Sequence, residues 1–349
     1  MMATETMYAL GFALRKRQYL RMCFKAERLV FVDSVKRVPA GAQLLVWGLP
    51  CLSTLAPGVR VIHVEDGFLR SVGLGADWIR PVSWVVDGRG MYFDATCESD
   101  LESILATVDW SPELLQRACA LRERIVQLGL TKYNVGTGSW SRPKECRKVV
   151  LVPGQVETDA SIRWGSPVVR SNLALLQCVR AACPDAYIVY KPHPDVVAGL
   201  RLRGVQESKV VEYCNELVLH APMHQLLEQV DEVHVMTSLA GFEALLRGRK
   251  VVCYGQPFYA GWGLTTDVHP PERRRRLLSL DALVAGALIL YPRYFSQTGS
   301  ADSTPERALD DLDAWRRSAG AQMPAWRRAW RPVLQALAWW QDGKRRRGT

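Results

Sequence analysis

The stretch that decides the fold class is K-V-V-L-V-P-G, residues 148–154. Its uninterrupted apolar run, rich in β-branched valine, predicts a buried strand, and a helix is predicted to follow over 167–182. The alternation continues with strands predicted over 187–191, 232–236 and 250–255, and helices predicted over 222–229 and 238–246. Apolar strands that alternate with helices are typical of a parallel sheet covered on both faces. This part of the chain therefore predicts a Rossmann-like α/β domain.

The first part of the chain has a similar but less regular pattern. Strands are predicted over 28–32, 43–48, 59–64 and 83–87, and helices over 99–107 and 111–128. The polar stretch 131–145 has no apolar period and predicts a linker. We therefore predict an α/β fold of two Rossmann-like domains that face each other across a cleft. The predicted divisions are a first domain over 1–130, a linker over 131–147, a second domain over 148–295, and a C-terminal helical segment with a basic tail over 296–349.

Composition narrows the class of protein. Of the 349 residues, 48% are apolar, yet no run approaches the roughly 18 apolar residues that a membrane-spanning helix needs. The nine cysteines are odd in number and scattered, which argues against a disulfide framework and against a zinc ribbon. The first basic residues follow the first apolar stretch, the reverse of a secretory signal, so we expect a cytoplasmic protein.

The net charge of +10 is concentrated in two segments, residues 15–37 and 326–349, which each carry +6. The rest of the chain is near neutral. A nucleic-acid enzyme more often has basic residues across its working face, so we expect no nucleic-acid partner, and the basic segments suit an anionic membrane surface. In the second segment Trp326, Trp330 and Trp340 fall near one helical face, opposite arginines. This pattern fits an interfacial anchor and equally a helix packed on the first domain.

Each stretch that contains candidate functional residues lies at the end of a predicted strand. The five stretches are V-E-D-G (64–67), G-Q-V-E-T-D-A-S (154–161), K-P-H-P-D (191–195), T-S-L-A-G-F-E (237–243) and Y-G-Q-P-F-Y-A-G-W-G-L (254–264). The carboxyl ends of parallel strands meet at one edge of a sheet, and ligands of such sheets bind there. Five clusters at this edge therefore predict a binding or catalytic site.

The residue types in these stretches suggest a phosphate-bearing ligand. Thr237 or Ser238 is predicted to cap a helix whose free N–H groups suit a phosphate, and Glu243 lies where it can bond a ribose. Lys191 and His193 suit a phosphate or a carboxylate. The aromatic residues Tyr254, Phe258, Tyr259 and Trp262 are predicted to flank a base or a sugar. Neither a dinucleotide fingerprint nor a P-loop is present, and the other histidines lack ligand-like spacing, so we predict no metal site.

Taken together, these stretches resemble the KpsC-type capsule polysaccharide biosynthesis family. The resemblance spans about residues 43–295 and is carried by E-D-G-F-L-R-S-V-G-L-G, G-Q-V-E-T-D-A-S, Y-K-P-H-P-D, T-S-L-A-G-F-E-A-L-L-R-G and Y-G-Q-P-F-Y-A-G-W-G-L-T-T-D. It implies a GT-B architecture and a retaining β-Kdo glycosyltransferase that uses CMP-Kdo as donor and needs no cofactor. The family's typical member carries two such modules in tandem, whereas this chain has one copy of each motif and resembles a single module.

The resemblance also implies partners and a location. The acceptor would be a Kdo-bearing lipid, and the protein would be peripheral on the cytoplasmic face of the inner membrane, with other capsule assembly and export proteins as further partners. Two alternatives remain at this point. One is another GT-B enzyme, such as an inverting glycosyltransferase or a nucleotide-sugar epimerase, and the other is a non-catalytic module of a capsule export complex.

Site roles follow from the resemblance and from the chemistry of retention. A double displacement needs a carboxylate nucleophile and an acid/base group. By resemblance, Asp159 matches the nucleophile and the Glu65-Asp66 pair supplies the acid/base, with Gln155 among the substrate-binding residues. Glu65 is favoured over Asp66, because Asp66 beside Gly67 can cap its own turn. Arg70 is expected either to pair with the Kdo carboxylate or to hold Asp66.

Overall fold

The computed structural model describes residues 6–24, 28–52, 54–72, 81–136, 138–296 and 303–319. Within them the chain forms two six-stranded sheets. The C-terminal segment that contains Trp326, Trp330 and Trp340 lies outside the described residues, so both interpretations of it stay predictions. None of the helices in the described ranges is long and apolar enough to cross a membrane.

The first sheet has the strand order β12-β5-β4-β3-β1-β2. Its strands are β1 (Thr6–Leu10), β2 (Arg28–Val32), β3 (Gln43–Trp47), β4 (Arg60–Asp66), β5 (Ser83–Asp87) and β12 (Pro292–Tyr294). β1 to β4 are parallel, whereas β5 runs antiparallel to β4 and to β12. Strand β1 and helix α1 (Leu14–Cys23) were not predicted, since their sequence, T-M-Y-A-L followed by a basic run, gives no strong apolar period.

The second sheet is entirely parallel and has the order β11-β10-β9-β6-β7-β8. Its strands are β6 (Val149–Pro153), β7 (Tyr187–Lys191), β8 (Glu216–Leu217), β9 (Glu232–Val235), β10 (Lys250–Cys253) and β11 (Thr266–Asp267). The prediction of a parallel α/β sheet for this part is confirmed. The strand order also shows a switch point between β6 and β9, from which the chain proceeds outward in both directions. Such switch points are where open α/β sheets bind ligands.

Helices cover both sheets and join them. They are α2 (Asp100–Thr107), α3 (Pro112–Gln127), α4 (Ala160–Gly165), α5 (Asn172–Ala182), α6 (Pro194–Val197), α7 (Met223–Gln229), α8 (Leu239–Leu246), α9 (Leu280–Val284) and α10 (Pro305–Ala319). The helix predicted over 167–182 starts later, because the Ser171 hydroxyl accepts a hydrogen bond from Ala174 N–H and so caps α5. The predicted C-terminal helix is present as α10, and Arg117 of α3 binds its Glu306 at 2.8 Å.

The predicted domain limits need one correction. Pro292–Tyr294, which we assigned to the second domain, forms β12 and pairs with β5 of the first sheet. Helix α3, assigned to the first domain, packs against α9 and against the π-helical turn Ala285–Leu290 that follows α9. The chain therefore crosses between the two sheets more than once, and the halves share one apolar core.

An aromatic cluster at the centre of that shared core ties the two halves together. Phe68, just after β4, stacks on Phe258, which follows β10, with ring centroids 4.5 Å apart. Phe242 of α8 and Tyr92 complete the cluster, at 6.2 Å and 4.8 Å from Phe68. Phe68 is 4% exposed. The residues just after the Glu65-Asp66 pair are therefore held by packing that spans both sheets.

Replacing Phe68 by alanine is expected to lower the free energy of unfolding by about 3–5 kcal/mol, because it removes a buried ring from both halves of the core. Denaturant unfolding measures the change. Leu277→Ala is the matched control, since Leu277 is 82% exposed and should cost less than about 0.5 kcal/mol. Equal effects of the two substitutions would contradict a joining role for this cluster.

Candidate functional site

Glu65 and Asp66 are the last two residues of β4, where the ladder to β5 still continues. Asp66 N–H donates a hydrogen bond to Glu65 Oε1 at 2.9 Å. Arg70 Nε donates to Asp66 Oδ2 at 2.8 Å, and Arg70 Nη1 donates to Ser71 Oγ at 2.9 Å. Of the two partners expected for Arg70, the structure shows Asp66. This ion pair is largely buried and fixes the turn that follows the strand.

The two adjacent carboxyl groups differ in their electrostatic surroundings. Burial raises the pKa of Glu65, and the neighbouring Asp66 charge adds to this effect, against the opposing charge of Lys16. Burial also acts on Asp66, but the charges of Arg70 and Lys16 and the hydrogen bond from Arg70 outweigh it, so the pKa of Asp66 is lowered. Carboxyls whose pKa values are driven apart are typical of sites where one moves a proton and the other stays ionised. Glu65 is thus suited to acid/base work.

Residues Thr131–Asn134, predicted as part of a linker, form a folded turn inside the cleft. Asn134 Oδ1 accepts a hydrogen bond from Thr131 N–H at 2.8 Å, and Asn134 Nδ2 donates to Ser71 O at 3.0 Å. Lys132 N–H donates to Glu243 Oε1 of α8 at 2.7 Å. The turn therefore connects the loop after β4 to the second half, and it places Lys132 and Tyr133 between them.

Lys132 and Tyr133 are the site residues that sequence reasoning missed. Tyr133 interacts electrostatically with Arg70 on one side and with Asp159 and Asp195 on the other. Its ring lies 6.2 Å from His193, edge to face. Burial favours the neutral form of Lys132, but Tyr133, Tyr92 and Asp66 outweigh burial and raise its pKa, so the ammonium stays charged. The sequence contained one sign of this role. The polar stretch 131–145 begins with Thr, Lys, Tyr and Asn, whereas its Gly and Ser residues come later.

Asp159 stands at the other side of the cleft, at the N-terminus of α4. It occupies the N-cap position, yet its side chain makes no cap hydrogen bond. Its charge acts on both Tyr133 and His193. A partly buried carboxylate that the fold does not use for capping is available for chemistry. Tyr133 interacts with Asp159 and with Arg70 and Lys132, which in turn interact with Glu65, so these groups connect Asp159 to the Glu65-Asp66 pair.

His193 caps α6, and its Nδ1 accepts a hydrogen bond from Asp195 N–H at 3.2 Å. This bond leaves Nε2 as the nitrogen that carries the proton of the neutral ring. Burial lowers the pKa of His193 to about 4, although the Asp159 charge opposes the shift. At neutral pH His193 is thus an uncharged N–H donor beside Asp159.

The low pKa of His193 has a consequence for stability. Between pH 6.5 and about 4 the unfolded chain binds a proton at this residue that the folded chain does not, so acidification favours unfolding. We expect His193→Asn to lose less stability than the wild type across this window in urea unfolding at several pH values. His220→Asn, at an exposed histidine, is the control and should behave like the wild type. Parallel curves for wild type and His193→Asn would contradict the assignment.

Gln155 and Thr237 meet at the switch point between β6 and β9. Gln155 Nε2 donates to Thr237 Oγ1 at 3.0 Å, and Thr237 N–H donates to Gln155 Oε1 at 2.9 Å. Of the two predicted caps, Thr237 and Ser238, the structure shows Ser238, whose hydroxyl accepts from Ala240 N–H at 3.3 Å at the start of α8. This reciprocal pair orients the N-terminus of α8 at the carboxyl edge of the sheet, where a phosphate would be stabilised.

Two predicted ligand contacts differ in the structure. Lys191 Nζ donates to the carbonyls of Ala221 at 2.7 Å and Leu219 at 3.4 Å, and burial lowers its pKa to about 8. The ammonium therefore holds the loop after β8 instead of pointing to a ligand. Glu243, predicted to bond a ribose, is 8% exposed and accepts from the Lys132 backbone, so it positions the turn at 131–134.

The aromatic stretch after β10 is part of the core, which corrects its predicted role as a base or sugar platform. Tyr254 is 5% exposed, and Tyr259 and Trp262 are completely buried. The Tyr259 hydroxyl donates to Ser238 O, and Trp262 Nε1 donates to Phe258 O at 2.8 Å. Their rings and their polar atoms are thus both used by the fold. The hydrogen bond from Tyr259 thus supports Ser238, the N-cap residue of α8.

The structure also shows a grouping that the spacing argument overlooked. Cys183, Glu232 and His234 bring ligand atoms within 4.8 Å of one another, since Glu232 and His234 alternate on one face of β9. Lys148 Nζ already binds Glu232 Oε2 at 2.8 Å and Cys183 Sγ at 3.6 Å. The group lies at the start of β9, at the edge of the sheet opposite Asp159 and Thr237. A lysine thus supplies the cation in this cluster.

Comparison with known proteins connects this site to a family. Residues 112–294 match the family model described as capsule polysaccharide biosynthesis protein. The capsule polysaccharide modification protein LipA of Neisseria meningitidis serogroup A is 44% identical over 299 residues, which are 82% of this chain and 42% of LipA. The lipopolysaccharide-processing protein LpsZ of Rhizobium meliloti is 44% identical over 254 residues, covering 72% of this chain and 58% of LpsZ. The chain thus spans about half the length of these curated relatives.

Solved structures give the same relationship at the level of the fold. The β-Kdo 2,7 transferase of Thermosulfurimonas dismutans KpsC is 39% identical, with a TM-score of 0.74 over 89% of this chain and 100% of that one. The β-Kdo 2,4 transferase of the same protein is 28% identical, with a TM-score of 0.74 over 87% of this chain and 97% of that one. These matches confirm the predicted GT-B-like arrangement of two α/β sheets. The chain belongs to the KpsC-type capsule polysaccharide biosynthesis family.

Proposed function

We propose that the chain is a retaining β-Kdo glycosyltransferase that moves Kdo from CMP-Kdo to a Kdo-bearing glycolipid. The observation that carries this proposal is the presence of two different carboxyls around the Lys132–Tyr133 turn: Asp159, whose side chain makes no cap hydrogen bond, and Glu65, whose pKa is raised. The similarity to two Kdo transferases supports the choice of sugar. A non-catalytic module would not need these two carboxyls in such different surroundings.

In this mechanism the first step forms a covalent glycosyl-enzyme. A carboxylate oxygen of Asp159 attacks the anomeric carbon of Kdo, and the bond from that carbon to the phosphate oxygen breaks, so CMP leaves with the bonding electrons. The N-terminus of α8 and the Nε2–H of His193 stabilise the charge on the phosphate as it leaves. Lys132 supplies a positive charge that acts on Glu65 and Asp66. These groups, rather than a metal, are proposed to balance the donor's charge.

The second step transfers Kdo to the acceptor. An acceptor hydroxyl attacks the anomeric carbon, its proton passes to the ionised Glu65, and the bond to Asp159 breaks. Two inversions give net retention. Glu65 suits this role because a base is most effective when its pKa lies close to the working pH.

We further propose that the chain works at the cytoplasmic face of the inner membrane as a peripheral protein. Its acceptor would be a lipid, and the basic segment over 15–37 would meet anionic headgroups. Other capsule assembly and export proteins are proposed as partners on the ground of the family alone.

Acceptor-dependent release of CMP from CMP-Kdo tests the proposed function. The purified chain is incubated with CMP-Kdo, with and without a synthetic Kdo acceptor, and CMP is followed by chromatography. We expect CMP release to rise strongly when the acceptor is added. Absence of turnover under both conditions, in a chain that is folded and binds CMP, would contradict the enzyme and favour a non-catalytic module.

A further inference from the structure

A cavity of about 560 Å³ lies at the carboxyl ends of β1 and β2, away from the Glu65–Asp159 cleft. Its walls are residues 9–13, Arg17, 31–33 and Arg37. The volume is in the range of small-molecule sites, roughly 300–1,000 Å³. None of the residues given a role in the proposed reaction lines this cavity, whereas Arg17 and Arg37 belong to the basic segment 15–37.

Two arginines, Arg17 and Arg37, line the cavity, together with Asp33, whose carboxylate pairs with Arg37. The Arg17 guanidinium lies over the Phe31 ring at 4.6 Å, and Arg21, one helical turn later, lies over the same ring at 5.1 Å. Arg17 Nε donates to Phe12 O at 3.4 Å, and no carboxylate of the described residues forms an ion pair with either arginine. Like charges one turn apart destabilise a helix. An anionic ligand would relieve that cost.

Arg37 supplies the second positive charge of the lining. It pairs with Asp33 at 3.3 Å, but both side chains are more than two-thirds exposed. Such exposed pairs contribute little, about 0–1 kcal/mol, so Arg37 can turn to a ligand at small cost.

The position of the cavity relates it to the proposed reaction. Glu65 ends β4, and the cavity lies beyond β3 at the ends of β1 and β2. With strands about 4.8 Å apart, the separation is roughly 10–15 Å along the same sheet edge. Lys16, whose charge lowers the pKa of Glu65, lies over Trp47 at the end of β3 and bridges this interval. Lys16 thus places a positive charge between Glu65, the proposed acid/base, and the cavity.

We propose that this cavity is a distal acceptor subsite, which holds an anionic group of the acceptor at least one residue away from the attacked hydroxyl. The shared chemistry is a carboxylate of an acidic sugar or a phosphate, bound by Arg17 and Arg37 through charge-assisted hydrogen bonds. A concave site of this size suits a sugar residue better than a flat membrane surface. The inference rests on the proposed function, which supplies an anionic acceptor.

The test compares acceptors of different length with the full chain and its Arg17→Gln/Arg37→Gln variant. Wild type and variant are assayed with an acceptor of one Kdo residue, with an acceptor of two, and with a single Kdo residue that carries a phosphodiester aglycone. The variant is expected to raise KM at least about 10-fold for the two anionic extensions, from the loss of charge-assisted bonds. The KM for the one-residue acceptor and for CMP-Kdo should change less than about twofold. The extension that loses more identifies the bound anion as carboxylate or phosphate.

Controls separate the possible outcomes. Arg275→Gln removes an exposed positive charge elsewhere and should leave every KM unchanged, while Arg37→Gln alone, at the exposed rim, should give an intermediate effect. An unchanged ratio of KM values for long and short acceptors would overturn the subsite. So would a variant that loses only its binding to anionic lipid vesicles, since the arginines would then contact the membrane. Failure of the wild type on all acceptors would instead refute the proposed function.

Discussion

Asp159→Asn is expected to abolish Kdo transfer, with a loss of at least about 10³-fold in kcat. The reason is that the double displacement has no path without a carboxylate on the face of the sugar opposite the phosphate. The substitution keeps the size of the side chain and replaces the anionic carboxylate by a neutral amide, which is a far weaker nucleophile. Initial rates of CMP release with saturating donor and acceptor measure the effect.

The fold should tolerate this substitution, because the Asp159 side chain makes no cap hydrogen bond to α4. We expect the free energy of unfolding to stay within about 0.5 kcal/mol of the wild type. Asp185→Asn, at an exposed carboxylate, is the matched control and should keep full activity. A kcat of Asp159→Asn within tenfold of the wild type would exclude Asp159 as nucleophile.

Glu65→Gln is expected to lower the transfer rate by about 10²–10⁴-fold, the usual contribution of a general base. The first step does not need this base, so the covalent adduct on Asp159 should accumulate. Intact-mass spectrometry with CMP-Kdo should then show a gain of one Kdo residue, and peptide mapping should place it on 154–161. The acid limb of the pH–rate profile should also disappear, because the wild type loses its base as the pH falls through the raised pKa of Glu65.

Asp66→Asn distinguishes the two neighbours. Asp66 is paired with the buried Arg70 at 2.8 Å, so removing its charge is expected to lower stability by about 3–5 kcal/mol. The residual activity of this variant should still fall at low pH, as it does in the wild type. Near-normal turnover of Glu65→Gln, with loss of the acid limb in Asp66→Asn, would reverse the assignment.

The sequence predicted those features that depend on local pattern. The second sheet has uninterrupted β-branched strands between helices, and its parallel form followed from this. Thr237 or Ser238 was predicted as a cap from its place between a strand and an apolar helix, and α8 is capped by Ser238. Glu65, Asp66, Glu157 and Asp159 were candidates because they lie at predicted strand ends. The choice of Asp159 as nucleophile and of the Glu65-Asp66 pair as acid/base came from the family resemblance.

What the sequence did not reveal depends on contacts between distant residues. Lys132 N–H binds Glu243, which is 111 residues away in the chain, and this contact helps to position Lys132. Tyr259 and Trp262 have the composition of a ligand platform, and only the tertiary packing shows that both are buried. Strand β12 has three residues and joins the first sheet from the far end of the described core. The local apolar pattern does not indicate that this short segment pairs with the first sheet.

The most direct test of the account is the anomeric configuration of the product. The chain is incubated with CMP-Kdo and a synthetic Kdo acceptor, and the purified product is analysed by NMR for its anomer and linkage. Retention through Asp159 predicts a β-linked Kdo. An α-linked product, which requires a single displacement, would contradict the central claim even if transfer were fast.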